Sequence, residues 1–301
     1  MAAKIKNRKS PEQRRAQMER LHESIGEQVE QLRESKAWED MLAFMQAFRT
    51  YSLSNMLLIL SQLPEAAQVA GYGKWRKEFG RQVSKGQRGI KIIGGRSAKV
   101  TETNEDTGEE EEKNTVRFFP CTVFDISQTE PVEGEAREIP ELARKLTGDD
   151  PQGITEAVGQ WLTSQGWGFS VAPVAGSANG YTAPDDRRVV VDTGMSPAQT
   201  AKTALHEAAH AVLHSEEDHS EYLTHRGIKE TEAESAAYVV AGLLGLDTAD
   251  YTIGYVAGWS GADAEVIKAT AANVQRAANT IYDAITDTTA EAIEPTEVVA
   301  A

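Results

Sequence analysis

Apolar residues at Met18, Leu21, Ile25, Val29 and Leu32 recur at spacings of three and four in an otherwise polar stretch. The pattern predicts a helix over residues 11–35 with a thin apolar stripe. From Trp38 to about Leu63 the same periodicity is far more apolar, which predicts a core helix ended by Pro64. Beyond Pro64, Gly-rich segments with period-two alternation predict two or more short strands crossed by an acidic insertion at residues 101–114, read as a solvated loop. Residues 131–150 are polar and turn-rich and read as a linker. A helix is expected near Ile154–Ser164, then a strand-like "WGFSVAPV", then two short strands joined at Pro184, Asp185 and Asp186. Ser196, Pro197 and Gln199 open the next helix with the residues of an N-cap, a first helical position and a capping box. Two more helices are expected at about Lys229–Leu244 and Ala262–Thr286, followed by a loose tail at 287–301.

The elements mix helices with small sheets, an α+β class. They divide into a helical extension (1–35), a first domain (36–130), the linker, a second domain (151–286) and the tail. With 301 residues, 40% of them hydrophobic, the chain can bury two modest cores. Neither a run of 18 apolar residues nor an apolar segment near the N-terminus occurs, so the expectation is a cytoplasmic protein with no membrane partner. Cys121 is the single cysteine, which excludes an internal disulfide and any cysteine cage for a metal. The net charge of −15 is uneven: residues 1–100 carry 19 Lys plus Arg against 10 Asp plus Glu, and the rest carry 12 against 36. A basic first third can approach a polyanion that the acidic remainder repels.

The chemistry concentrates in "TALHEAAHAVLH", Thr203–His214. At 3.6 residues per turn, His206 and His210 stand on one helical face and can reach a common ion. Glu207 is turned about 100° away, which suits a general base acting on a water that Zn²⁺, or another divalent metal, acidifies toward a pKa of about 7. A catalytic zinc needs a third protein ligand. His214 extends the histidine ladder, but three histidines on one straight helix do not converge on one tetrahedral ion, so it reads as a solvent-facing helix end. His219 reads as surface, and His225 as a substrate-binding or ligand-supporting residue. Glu230, Glu232 and Glu234 are the carboxylate candidates. Glu234 is preferred because Ser235, Ala236 and Ala237 after it permit close helix approach, with Glu232 as the rival. The strand-like "RRVVVD" before the histidine helix is expected to be an edge that could hold a peptide.

A second constellation lies in residues 72–96. Tyr72, Trp75 and Phe79 interleave with Lys74, Arg76, Lys77, Arg81, Lys85, Arg88, Lys91 and Arg96 against a single acid, Glu78. Aromatic faces stack on bases and the cations neutralise phosphates, so Tyr72, Lys74, Trp75, Arg76, Lys77, Arg81, Lys85 and Arg88 are the expected contacts to single-stranded DNA.

"HEAAHAVLH" followed by "EAESAAYVVAGLLGLD" resembles the gluzincin-type metallopeptidases of the ImmA/IrrE kind. It is more closely similar to the C-terminal domain of ArdC-type antirestriction proteins of plasmids, phages and other mobile elements. The first third resembles the ArdC-type N-terminal domain through Tyr51-Ser52, Asn55, Trp75, Gly80-Arg81, Val83 and Lys85-Gly86. The resemblance covers roughly residues 38–285. It implies a single-strand DNA-binding domain joined to a zincin-like domain in which His206, His210 and Glu234 hold zinc, Glu207 is catalytic and a protein partner is cleaved. Two other functions fit the same residues: a regulatory protease that cuts a repressor, and a non-enzymatic DNA-binding protein with a structural metal.

Overall fold

The structure, a computed structural model, describes residues 10–103, 110–135, 152–176, 178–216, 226–246 and 263–286. They form the expected α+β mixture. Two compact units are present, one built from residues up to 28 and 57–139, the other from residues 29–56 and 140–291. Among the described residues no helix is long and apolar enough to cross a membrane.

In the first unit, β1 (Val69–Gly71), β4 (Glu110–Asp125) and β3 (Ile90–Thr103) form an antiparallel sheet in the order β1-β4-β3, and β2 (Arg81–Val83) pairs with β5 (Thr129–Pro131). The β3–β4 pairing runs from Ile90 opposite Val123 to Thr103 opposite Glu110. The expected loop at 101–114 is therefore hairpin strand at both margins, and its centre lies outside the described residues. Residues 72–79, within the Gly-rich segments expected to hold short strands, are a helix, α4 (Tyr72–Phe79), ended by Gly80 in the left-handed conformation (φ 59°). Tyr72, Trp75 and Phe79 sit three and four residues apart, a helical spacing that the intervening cations make resemble alternation. Trp75 packs with Ala70 and Val83 to form the core under this helix. Asp125 is buried and locks the turns around it, accepting from the backbone N–H groups of Ala67, Gln68 and Ser127, each at 2.9 Å.

The expected single helix from 38 to 63 is two, α2 (Ser35–Phe48) and α3 (Leu53–Gln62), because Ser52 starts a new helix by accepting from the N–H of Asn55 and Met56. α2 also belongs to the second unit, although residues 36–130 were expected to form one domain. Its buried face (Trp38, Met41, Leu42, Met45, Phe48) is apolar, and the Trp38 indole N–H donates to Ser235 Oγ at 3.1 Å. Arg49 pairs with Asp283 at 2.7 Å and lies over the Tyr282 ring, while Gln275 and Asn279 donate to the carbonyls that end α2. Apolar burial draws α2 onto the last two helices more strongly than chain order ties it to the strands.

The second unit continues with α5 (Gln152–Ser164), β6 (Gly168–Val171), β7 (Gly180–Ala183), β8 (Arg188–Val191), α6 (Pro197–Leu213), α7 (Arg226–Leu243) and α8 (Ala264–Thr286). Its sheet has the order β6-β8-β7. The "RRVVVD" strand is thus central, with Val189, Val190 and Val191 buried, and β6 and β7 are the edges; consecutive valines with no polar alternation mark burial on both faces.

Candidate metal centre and the aromatic-basic helix

Helix α6 starts as its sequence specifies: Ser196 Oγ accepts from the N–H of Gln199 at 3.3 Å and Pro197 takes the first turn. The capping box stays incomplete, because the Gln199 amide turns down the helix to Thr203 Oγ1. Two turns on, the His206 and His210 rings meet edge to face with their Nε2 atoms 3.0 Å apart. From α7, Glu230 Oε2 stands 3.6 Å from His206 Nε2 and 3.7 Å from His210 Nε2. A point equidistant from these three atoms lies about 2.0 Å from each, the length of a zinc–imidazole or zinc–carboxylate bond. His206, His210 and Glu230 are the metal-competent group found among the described residues.

Glu234, expected as the third ligand, occupies a different position. Its Oε2 lies 3.2 Å from His206 Nδ1, on the ring edge away from Nε2, and its Oε1 takes the Lys202 ammonium at 2.8 Å. Glu230 and Glu234 are one turn apart on α7 with the His206 ring between them, so the nearer turn meets Nε2 and the farther turn supports Nδ1. The small residues act as expected: Ala204, Ala208 and Ala209 on α6 and Ala233, Ala236 and Ala237 on α7 are fully buried. Glu232 and His214 are also buried, and His214 is not the solvent-facing helix end that its position suggested. His219 and His225 lie outside the described residues.

Burial alone would push the His206 imidazolium down, but hydrogen bonds to Glu230 and Glu234 and the charges of Glu207 and Glu234 outweigh it and raise the pKa to about 9. Burial holds His210 below its usual value. Hydrogen bonds from His206 and His210 hold Glu230 far below the carboxylate range. Glu234 resists its burial through His206 and Lys202 and is also lowered. A charged His206 donates from Nδ1 to Glu234 and from Nε2 to the lone pair of His210, so a proton lies where the cation would compete for the same electrons.

Glu207 faces aside from the triangle, as expected. It is buried, and its Oε2 accepts from Thr182 Oγ1 of β7 at 2.7 Å. Burial raises its pKa, partly offset by His206 and Thr182. β7 passes this close because residue 180 is glycine: a Cβ there would meet Thr203 Cγ2 at 2.8 Å, Val190 O at 2.9 Å and Glu207 Oε1 at 3.1 Å. Thr182, Lys202 and Glu230's position escaped the sequence reading. The signal available for Glu230 was its i, i+4 relation to Glu234, the same spacing that marks the two histidines.

In the first unit the expected DNA contacts separate. Trp75 is fully buried and its indole N–H donates to Phe124 O at 2.8 Å, so it is a core residue and no base can stack on it. Arg81 is half-buried, held by Thr129 through Nε to Oγ1 (2.7 Å) and Nη2 to the carbonyl (3.0 Å). Lys74 faces Glu78 at 3.5 Å and Arg76 pairs with Glu135 at 3.1 Å. Tyr72, Lys77, Lys85 and Arg88 are exposed. The reading missed Phe118, 67% exposed on β4. Adjacent strand residues face opposite ways, so the pair Phe118-Phe119 signalled one outward ring. Trp75→Phe is expected to lower the stability of this unit by about 1–3 kcal/mol, from the lost hydrogen bond and volume, in a denaturant titration. DNA affinity of the folded fraction is expected to stay unchanged; a direct loss of affinity would restore Trp75 as a contact.

Residues 15–124 match the family model for the N-terminal domain of anti-restriction factor ArdC. An uncharacterized protein of Bacillus anthracis is 29% identical over 260 residues, covering 74% of this chain and 43% of that protein, so the chain spans less than half the length of the curated relative it matches. Two crystal structures of the antirestriction ArdC protein from plasmid R388 are also similar. The metal-free one has 22% identity and a TM-score of 0.48, the Mn(II)-bound one 21% and 0.45, and each comparison covers 78% of this chain and 85% of the other.

Proposed function

We propose that the chain, whose residues 15–124 match the model for the N-terminal domain of anti-restriction factor ArdC, is a DNA-associated antirestriction protein whose second unit carries a divalent cation and hydrolyses a protein partner. The observation that carries the cation reading is the convergence of His206 Nε2, His210 Nε2 and Glu230 Oε2 at bonding distance from one point. Two imidazoles and a carboxylate suit Zn²⁺ and also Mn²⁺ or another first-row ion. Such an ion supplies a Lewis acid that acidifies a water and polarises a peptide carbonyl. Thr182 holds Glu207 Oε2, leaving Oε1 to take a proton and return it to the leaving amine. Burial makes that carboxylate a stronger base than an exposed one. Among the described residues no strand pairs with the outer edge of β7, beside Thr182, which offers an extended peptide a backbone to bind.

In the first unit, exposed Tyr72 and Phe118 and the cations Lys77, Lys85 and Arg88 support binding of single-stranded DNA by base stacking and phosphate neutralisation. Fluorescent single- and double-stranded DNA titrated with the full chain at low and high salt tests it: tight single-strand binding that weakens with salt is expected, and no binding at low salt would end the DNA reading.

The cation site is tested by calorimetric titration of the full chain with Zn²⁺ and Mn²⁺. One ion per chain is expected. Glu230→Gln is expected to lose about 10²-fold or more in affinity, and Glu234→Gln only about tenfold, the cost of removing a group that orients a ligand. The opposite order would make Glu234 the ligand.

A further inference from the structure

Behind the cation triangle, the buried side chains of His210, His214 and Glu232 and the half-buried Asn273, from three helices, form one line of hydrogen bonds. His210 Nδ1 lies 3.0 Å from His214 Nδ1, His214 Nε2 lies 2.9 Å from Glu232 Oε2, and Glu232 Oε1 accepts from Asn273 Nδ2 at 2.8 Å. His214 and Glu232 are 4% and 5% exposed, too little for water to reassign these bonds freely. The direction of the line follows from what each group can do. A carboxylate only accepts, so His214 carries its proton on Nε2 and presents a lone pair at Nδ1. Two imidazole nitrogens 3.0 Å apart need one proton between them, so His210 donates from Nδ1. Its remaining lone pair is then on Nε2, the atom at the corner of the triangle.

We infer that Glu232, His214 and Asn273 are positioning residues that fix His210 in the tautomer and ring orientation whose Nε2 binds the cation. The inference rests on the reading of His206, His210 and Glu230 as a cation site. It gives Glu232, which stands outside the group of His206, His210 and Glu230, a defined task behind His214. Asn273 completes the line by donating to Oε1, which leaves Oε2 for His214. Metal-ligating histidines commonly gain orientation and basicity from such a partner on the far nitrogen; here the partner is itself a histidine, held in turn by the carboxylate.

Two measurements on the full chain test it. Long-range ¹H–¹⁵N spectra of the cation-free protein are expected to find His210 protonated on Nδ1 and bare on Nε2. In Glu232→Gln, Asn273 holds the amide oxygen and the amide nitrogen faces His214, so the proton of His214 moves to Nδ1 and that of His210 to Nε2, while His206 gives up its Nε2 proton and accepts there. A merely structural role for Glu232 would not produce that exchange. Calorimetry with Zn²⁺ is then expected to give about a 10–100-fold weaker affinity for Glu232→Gln and for His214→Leu, the usual cost of losing such a partner. His214→Asn, whose side-chain oxygen reaches the place of Nδ1, is expected to retain affinity within a few-fold and serves as the conservative rescue. His210 protonated on Nε2 in the parent protein, or equal affinities for His214→Leu and the parent, would overturn the inference. A parent protein that binds no Zn²⁺ would overturn the cation reading itself, while the spectra would still report the direction of the hydrogen bonds.

Discussion

Glu207→Gln is expected to keep the divalent cation and to lower peptide hydrolysis by about 10²–10⁴-fold, the usual contribution of a positioned proton acceptor. The substitution leaves His206, His210 and Glu230 untouched and can still accept the Thr182 hydroxyl, so the fold and the triangle persist. What it removes is the basic oxygen that takes the proton. Cleavage of casein, together with a comparison of the intact proteomes of cells expressing the parent and the variant, provides the measurement. Cleavage at the parent rate would remove Glu207 from the mechanism. Protection of incoming DNA in a transfer assay separates the two parts of the proposed function: a variant that protects as well as the parent assigns protection to binding, and one that fails assigns it to hydrolysis.

Cation affinity is expected to rise about tenfold per pH unit between pH 7 and 9, about 100-fold in all, and then to level off. The sign follows from His206, whose pKa is raised to about 9, so that below this value a proton competes with the cation for Nε2. Glu230 is held far below its usual range and is ionised throughout, and His210 is held below its usual value, so neither adds a second step in this window. Calorimetry in buffers of different ionisation enthalpy is expected to find close to one proton released per ion at pH 7. A flat affinity between pH 7 and 9 would show that His206 is already neutral without the ion. The same raised pKa stabilises the cation-free fold fully below the unfolded value of 6.5, and that contribution is lost as pH rises through 9.

The substitutions that separate Glu230 from Glu234 address a choice that spacing along one helix leaves open. On α7 both carboxylates face α6, and the sequence preference for Glu234 rested on the small residues that follow it. Those residues do bring the helices together, but the relative height of the two helices decides which glutamate meets which nitrogen of His206. That height is a property of packing across the 23 residues between His206 and Glu230, and no local pattern encodes it. The buried line through His214 was hidden for the same reason, since Glu232 and Asn273 reach it from two other helices.

The aromatic-basic stretch teaches the complementary lesson. Tyr72, Trp75 and Phe79 are alike in composition, yet Tyr72 is 60% exposed and Trp75 not at all. Tyr72 and Trp75 lie within about 60° of each other around α4, but Tyr72 is the first residue of the helix and stands outside the core that Trp75 forms with Ala70 and Val83. Composition identified a candidate nucleic-acid surface, and only the packing of α4 decided which rings remain available to it.

By itself the sequence determined the interactions that act within a few residues. The start of α6 at Ser196 and Pro197, the pairing of His206 with His210, the aside position of Glu207 and the turn between β7 and β8 all follow from local geometry, and the structure contains each of them. The tertiary structure alone decided that α2 packs on α7 and α8, that Trp75 is core and Phe118 surface, that β7 is the edge strand beside Glu207, and that Glu230 meets the histidine pair. Each of these depends on burying apolar surface between elements distant in the chain, which favours whatever partner completes the core and is indifferent to sequence order.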